Sequence, residues 1–141
     1  MTRVDFYVVE GAPSAHDLTL CRVIEKAWQH GHEIYVHCAD AEQARAFDTL
    51  LWRFRDTSFV PHGIEGVAPA TTPVILGTAA DTTTAHDLLV NLGVDVPETA
   101  SRFARVIESA GCDDISRQAA RERYRYYQER GFPLHTHKVG R

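Results

Sequence analysis

VDFYVVEGAPSAHD, residues 4–17, reads as a strand, a turn and a helix start within fourteen residues, and it decides the fold. Val4–Val9 is a short run of β-forming apolar residues of the kind that fills a strand buried on both faces. Glu10-Gly11-Ala12-Pro13 ends it. Ser14 and Asp17 sit three apart, which predicts a capping box opening a helix to about His30, with Gly31 as the stop. The unit then repeats. Glu33–Cys38 (EIYVHC) is a second strand, and Asp40 with Gln43 caps a second helix on which Ala44, Phe47, Leu50, Leu51 and Phe54 recur at helical spacing. Strand, helix, strand, helix at this spacing implies parallel βαβ units. The fold class is therefore α/β: a mostly parallel sheet with flanking helices.

Outward from that core the pattern breaks. Arg55 to Thr72 has no clean period, and a loop of that length inside a compact domain is usually functional. Pro73–Gly77 (PVILG), His86–Leu92 (HDLLVNL) and Arg105–Ser109 (RVIES) read as three further strands, the first two joined by a polar, Thr-rich connection. No repeat, linker or low-complexity tract interrupts the chain, so residues 1–141 form one domain. A nucleotide fingerprint is missing. The first turn after a strand is Glu10-Gly11-Ala12-Pro13-Ser14 rather than G-x-G-x-x-G, and no G-x-x-x-x-G-K-[ST] occurs.

A 44% hydrophobic and 24% charged composition is that of a globular chain that can build its own core. No apolar run approaches the roughly 20 residues of a membrane span, and MTRVDFYVVEG enters a strand without a signal peptide's apolar region. Three separated cysteines (Cys21, Cys38, Cys112) with no C-x-x-C pair fit a reduced, cytoplasmic compartment.

The net charge of −4 conceals a reversal near the C-terminus. Residues 117–141 carry a net +5, while the first 116 carry −9. The cationic end reads as a helix, capped by Asp113 or Asp114 and stopped by Gly131, with Arg130 suited to the negative end of the helix dipole. At about 100° per residue, Arg117, Arg121, Tyr124, Arg125 and Gln128 share one side, with Ile115, Ala119 and Tyr126 opposite as the expected buried stripe. A solvated face is the bland reading of such a run. The guanidinium fork, which binds carboxylates and phosphates bidentately, favours an anionic partner: nucleic acid phosphates or the acidic tail of another protein.

Other chemistry is sparse. Cys38 ends a strand, and His62 is an available base for it, which makes a Cys-dependent hydrolase a rival reading; a buried free Cys is otherwise a small hydrophobe. Two H-x-H pairs, His30/His32 and His135/His137, lack the accompanying ligands of a zinc site, and the second pair falls in the terminal tail. No cofactor or metal site is expected. Trp52, Phe54, Phe59, Val60 and Pro61 bring large apolar groups to the irregular segment; all of them also read as core, the reading favoured for Phe54, while Trp52 and Phe59 equally suit interface anchors.

Two stretches carry a resemblance. LWRFRDTSFVPH (51–62) and ARERYRYYQERGF (120–132) resemble the chi subunit of bacterial DNA polymerase III holoenzyme, as do the opening strand and CADAEQA (38–44). LW-x(6)-FVPH together with ARERY-x(6)-GF is a specific pair, and the resemblance covers essentially the whole chain. It implies a clamp-loader accessory with a nucleotide-binding-like, Rossmann-like α/β topology but no polymerase activity of its own, cytoplasmic and replisome-associated. It implies that Arg117, Arg121, Tyr124 and Arg125 receive the acidic, Pro-Phe-ending tail of single-stranded-DNA-binding protein, giving an indirect link to single-stranded DNA. It implies that the surface of Trp52 and Phe59, with Val60, Pro61 and His62, engages the psi subunit or a helicase. A member of the family carries Lys where this chain has Arg117 and Arg125, which keeps the charge and changes the geometry. A direct nucleic-acid-binding module using the same arginines is the third reading.

Overall fold

A computed structural model describes residues 2–54, 59–69, 71–78, 87–111 and 113–139. Seven strands form a single sheet: β1 (Arg3–Val9), β2 (Ile34–His37), β3 (His62–Ile64), β4 (Val74–Gly77), β5 (Leu88–Asn91), β6 (Arg105–Ala110) and β7 (Leu134–Val139). Their order is β3-β4-β2-β5-β6-β1-β7, and every pairing is parallel. Among the described residues three α-helices connect them: α1 (Pro13–Gln29), α2 (Ala41–Arg53) and α3 (Asp114–Glu129).

The alternation of side chains along each strand sorts two cores. Ile34, Val36, Val74, Leu76, Leu88, Val90 and Ile107 face α1 and α2, while Tyr35, Ile75, Leu89 and Val106 face α3 and a short 3-10 turn at Ala100–Arg102. Burial on both sides is what a continuous apolar run in a strand signals, and each large side chain so buried stabilises the fold by about 1.5–3 kcal/mol.

Several local expectations are corrected. Ser14 does not cap α1: the N-cap is Ala12 with no side-chain cap bond, because Pro13 takes the first helical turn, where its missing N–H costs nothing. Asp40 does cap α2, accepting from Gln43 N at 2.8 Å, and Gln43 reaches back to Ala39 N at 2.6 Å. Gly31 and Gly131 end α1 and α3 at φ 90° and 77°, conformations that favour glycine. The segment from Arg55 to Thr72 contains β3 in its described part, and the terminal tail is not a tail. His135 and His137 lie on β7, an edge strand paired to β1. Both strands were hidden because neither has a strong apolar period: β3 is three residues long, and β7 has no fully buried residue. The Thr-rich connection, His86 and Cys112 fall outside the described residues.

A buried carboxylate at the centre of β1 ties that end of the sheet together. Asp5 is fully buried and accepts from Arg3 Nη2 at 3.1 Å, Arg105 Nε at 2.7 Å and His137 Nε2 at 2.9 Å. Burial alone would raise its carboxyl, but the bonds from His137 and Arg105, the Arg105 charge and Arg3 together hold it below the ordinary range. His137 also stacks on Tyr7, ring centroids 4.7 Å apart.

Candidate functional site

On α3, Asp113 caps the start by accepting from Ser116 N at 2.6 Å. The expected buried stripe is wrong. Ala120, Arg123 and Tyr127 face the sheet, whereas Ile115 is 85% exposed. The helix is rotated because a polar anchor overrides the apolar pattern. Glu108, fully buried on β6, accepts from Arg123 Nε at 2.8 Å, Tyr127 Oη at 2.6 Å and Asn91 Nδ2 at 2.9 Å. Arg123 spends its remaining nitrogens on Val94 O and Ser109 O, both at 3.0 Å. Burial pushes the Glu108 carboxyl upward, while the Arg123 charge and the bonds from Asn91 and Tyr127 oppose the rise. A charge count over residues 117–141, which lumps Arg123 with the other cations, misses this network. The available signal was a glutamate inside the otherwise apolar strand RVIES.

With Arg123 turned inward, the outer cationic flank consists of the residues expected there. Arg121 and Arg125 are exposed, and Arg117 and Tyr124 are half-buried. Arg117 Nε donates to Gly111 O at 3.0 Å, which fixes its stem. Arg121 reaches only Gln118, at 3.5 Å, and Arg125 has no hydrogen bond or ion pair among the described residues. Tyr124 packs edge-on against Phe6 of β1, ring centroids 5.4 Å apart. This flank therefore looks toward β1 and β7, while Arg123 looks toward the chain after β5. Lys138 joins the cationic side, since the register Phe6↔Thr136, Val8↔Lys138 puts it on the α3 face of β7.

At the opposite edge of the sheet, Trp52 is 59% and Phe59 76% exposed, and Pro61 is exposed between Val60 and His62. Val60 is buried at 2% and belongs to the core, so it offers no surface. The His62 side chain is buried too. Nδ1 lies 2.7 Å from Val60 O, Nε2 lies 3.0 Å from Asp48 O, and Trp52 leans on the ring at 4.6 Å. His62 is thus a support under Trp52.

That placement removes the hydrolase reading. Both ring nitrogens of His62 are engaged elsewhere, and Cys38 is buried, with its thiol pushed up to about 12 by burial and by Asp40. A nucleophile needs the thiolate, which this environment suppresses. His30 and His32 are likewise committed, to Lys26 O and Asp87, each at 2.8 Å. Among the described residues no group of three or more metal-ligating side chains assembles, and no helix is long and apolar enough to cross a membrane.

The pattern of the family described as DNA polymerase III chi subunit, HolC, matches residues 1–135. The chain belongs to the chi subunit family. Curated relatives agree along its whole length. The DNA polymerase III subunit chi of Pseudomonas aeruginosa is 43% identical, over 100% of this chain and 99% of that protein. Those of Escherichia coli and Haemophilus influenzae are 29% and 30% identical, each over 96% of this chain and at least 96% of theirs. Their names are those of a polymerase III subunit, as the sequence resemblance implied. Among solved structures, T4 UvsW is similar with a TM-score of 0.69 at 8% identity, over 99% of this chain and 42% of that one. That likeness concerns the fold alone, the Rossmann-like sheet that this member of the chi family shares with a larger protein.

Proposed function

We propose that this chi-family chain is a non-catalytic accessory of the clamp loader, joining the replisome in the cytoplasm to the acidic C-terminal tail of single-stranded-DNA-binding protein. The observation that carries the reading is the outer flank of α3, where Arg117, Arg121 and Arg125 line up around Tyr124 and Arg121 and Arg125 have no acidic partner among the described residues. Surface arginines without a carboxylate are available to a ligand. Their forks suit the aspartates and terminal carboxylate of a tail, while the Tyr124–Phe6 surface, with Phe132 and Leu134 beside it, offers an apolar seat for a terminal phenylalanine.

The second partner, the psi subunit or a helicase, takes the surface of Trp52, Phe59 and Pro61, with His62 beneath. This surface adjoins β3 and the tail surface looks toward β7, the two outer strands of the sheet. Six inter-strand spacings separate those edges, roughly 29 Å. Both partners can therefore be held at once, and single-stranded DNA is reached indirectly.

Calorimetry with an acidic peptide ending in Pro-Phe tests the reading against the same peptide lacking its last Phe and against naked single strands. Micromolar binding of the first alone supports it. Equal binding of both peptides reduces α3 to a generic anion surface, and preferential binding of naked strands makes the chain a nucleic-acid binder instead.

A further inference from the structure

β1 and β6 are neighbours in the sheet, yet their chains leave toward opposite faces, β1 into α1 and β6 into α3. Such a divergence opens a crevice over the carboxyl ends of the strands, the place where open α/β sheets hold ligands. Here it has a volume of about 420 Å³, within the range of ligand pockets.

Its chemistry is specific. The walls are apolar: Phe47 and Leu50 from α2, Leu92 and Val94 from the chain after β5, and Ile115 and Ala119 from α3. Val94, 65% exposed, and Ile115, 85% exposed, border the opening, and on its outer side Ile115 also lines a shallow pocket with Arg121. The polar lining mixes donors and acceptors, Gln43, Asn91 and Ser116 among the donors, but the charge it leaves unbalanced is negative. Asp17 and Asp113 bring carboxylates, whereas the guanidinium of Arg123 is already committed to Glu108, Val94 O and Ser109 O. His16 sits between Asp17 Oδ1, at 3.2 Å, and Ser109 Oγ, at 2.8 Å. The two helix starts do not favour phosphate, because Asp113 takes the Ser116 N–H and Pro13 removes a donor from α1.

We infer that this crevice docks a basic amphipathic segment of a partner protein, whose apolar residues rest on Leu92, Val94 and Ile115 and whose Lys or Arg reaches Asp17 and Asp113. Charge complementarity selects that occupant: an acidic segment meets two carboxylates, and a wholly apolar one strips water from them while their partners are only His16 and the Ser116 of the α3 cap. The site is separate from the Trp52 surface, and it meets the tail surface only at Arg121, across Ile115 and Ala119. Gln43, Ala46, Phe47 and Leu50 of α2 line it, while Asp48 and Trp52 turn toward His62 and β3.

The test uses the full chain with labelled methyl groups, titrated with an amidated Leu/Lys amphipathic peptide of about 14 residues and with its Leu/Glu counterpart. Expected are shifts centred on Leu92, Val94 and Ile115, with the Leu/Glu peptide at least about tenfold weaker. Asp17→Asn should weaken the Leu/Lys peptide about 2–5-fold, as suits a rim carboxylate, and Ile115→Ser about tenfold. Neither site is needed for the fold. Arg125→Glu and Trp52→Ala should leave this affinity unchanged, so failure of tail binding and failure of the crevice are distinguishable. Equal affinity for the two peptides, insensitivity to Asp17→Asn and Ile115→Ser, or shifts spread evenly over the acidic surface would each overturn the inference.

Discussion

Arg123 donates Nε to Glu108 Oε1 at 2.8 Å from within a helix whose Arg121 and Arg125 face solvent, and this one pair sets the rotation of α3. Removing either partner leaves a buried charge uncompensated, at a cost of about 3–5 kcal/mol. Arg123→Ala and Glu108→Ala should each lower the urea midpoint strongly. A double change to apolar residues of similar volume, Glu108→Leu with Arg123→Met, should cost much less than the sum. An unshifted midpoint in either single variant would mean that the pair does not anchor the helix.

Reversal of Arg121 or Arg125 to Glu should weaken binding of an acidic, Phe-ending peptide by about 2–5 kcal/mol, since repulsion is added to the lost contact. Tyr124→Ala should weaken it as well, with less change in salt dependence, because packing against Phe6 is lost rather than charge. Calorimetry at two salt concentrations separates these effects.

Trp52→Ala or Phe59→Ala should cost the second partner about 2 kcal/mol or more if these residues anchor it, and should leave the peptide affinity almost unchanged. Val60→Ala acts differently, because Val60 is core: it should lower stability by about 1 kcal/mol or more and affect both affinities only through folding. Paired measurements of melting and binding show which behaviour each variant follows.

Asp5 sets an acid limit. Its folded carboxyl lies below the ordinary value of 3.8, so its contribution is fully present above that value and is lost as pH falls through the lower, folded one. Stability measured from pH 6 downward should therefore drop below about pH 4 in the native chain. Asp5→Asn should be less stable at pH 6, and the difference between the two should shrink as pH falls. A constant difference across that range would show that Asp5 is not the titrating group.

Burial pushes the thiols of Cys21 and Cys38 up to about 12. Iodoacetamide at pH 8 should leave both unmodified in the folded chain and label them in urea, as peptide mass mapping would show. Rapid labelling of Cys38 in the native state would revive it as a nucleophile.

Much of this molecule was legible in its sequence. The strands centred on Val4–Val9, Ile34–His37 and Val74–Gly77 are dense in β-branched and aromatic residues, so they announce themselves. The cationic flank was legible too, because exposed residues follow helical period without interference. The buried side of α3 was not. Ile115 looks like core and Arg123 looks like surface until Glu108 is known to lie beneath the helix, and that depends on a strand reached only in three dimensions. β3 and β7 escaped for a related reason: edge strands are half-solvated and carry little pattern. The reading of His62 as a base for Cys38 failed because its ring is held by the carbonyls of Val60 and Asp48, which every sequence has and none advertises.

β1 lies between β6 and β7, whose residues come about a hundred positions later. At synthesis rates of about 5–20 residues per second, the first strand made spends roughly 5–20 s without either neighbour. Through that interval VDFYVV is an unpaired β-forming segment of the kind that seeds aggregation. Asp5, still ionised and not yet met by Arg105 or His137, keeps a charge in the middle of it. The carboxylate that later clasps three strands thus first guards the nascent chain, and its neutralisation by residues from the far end coincides with the moment when protection is no longer required.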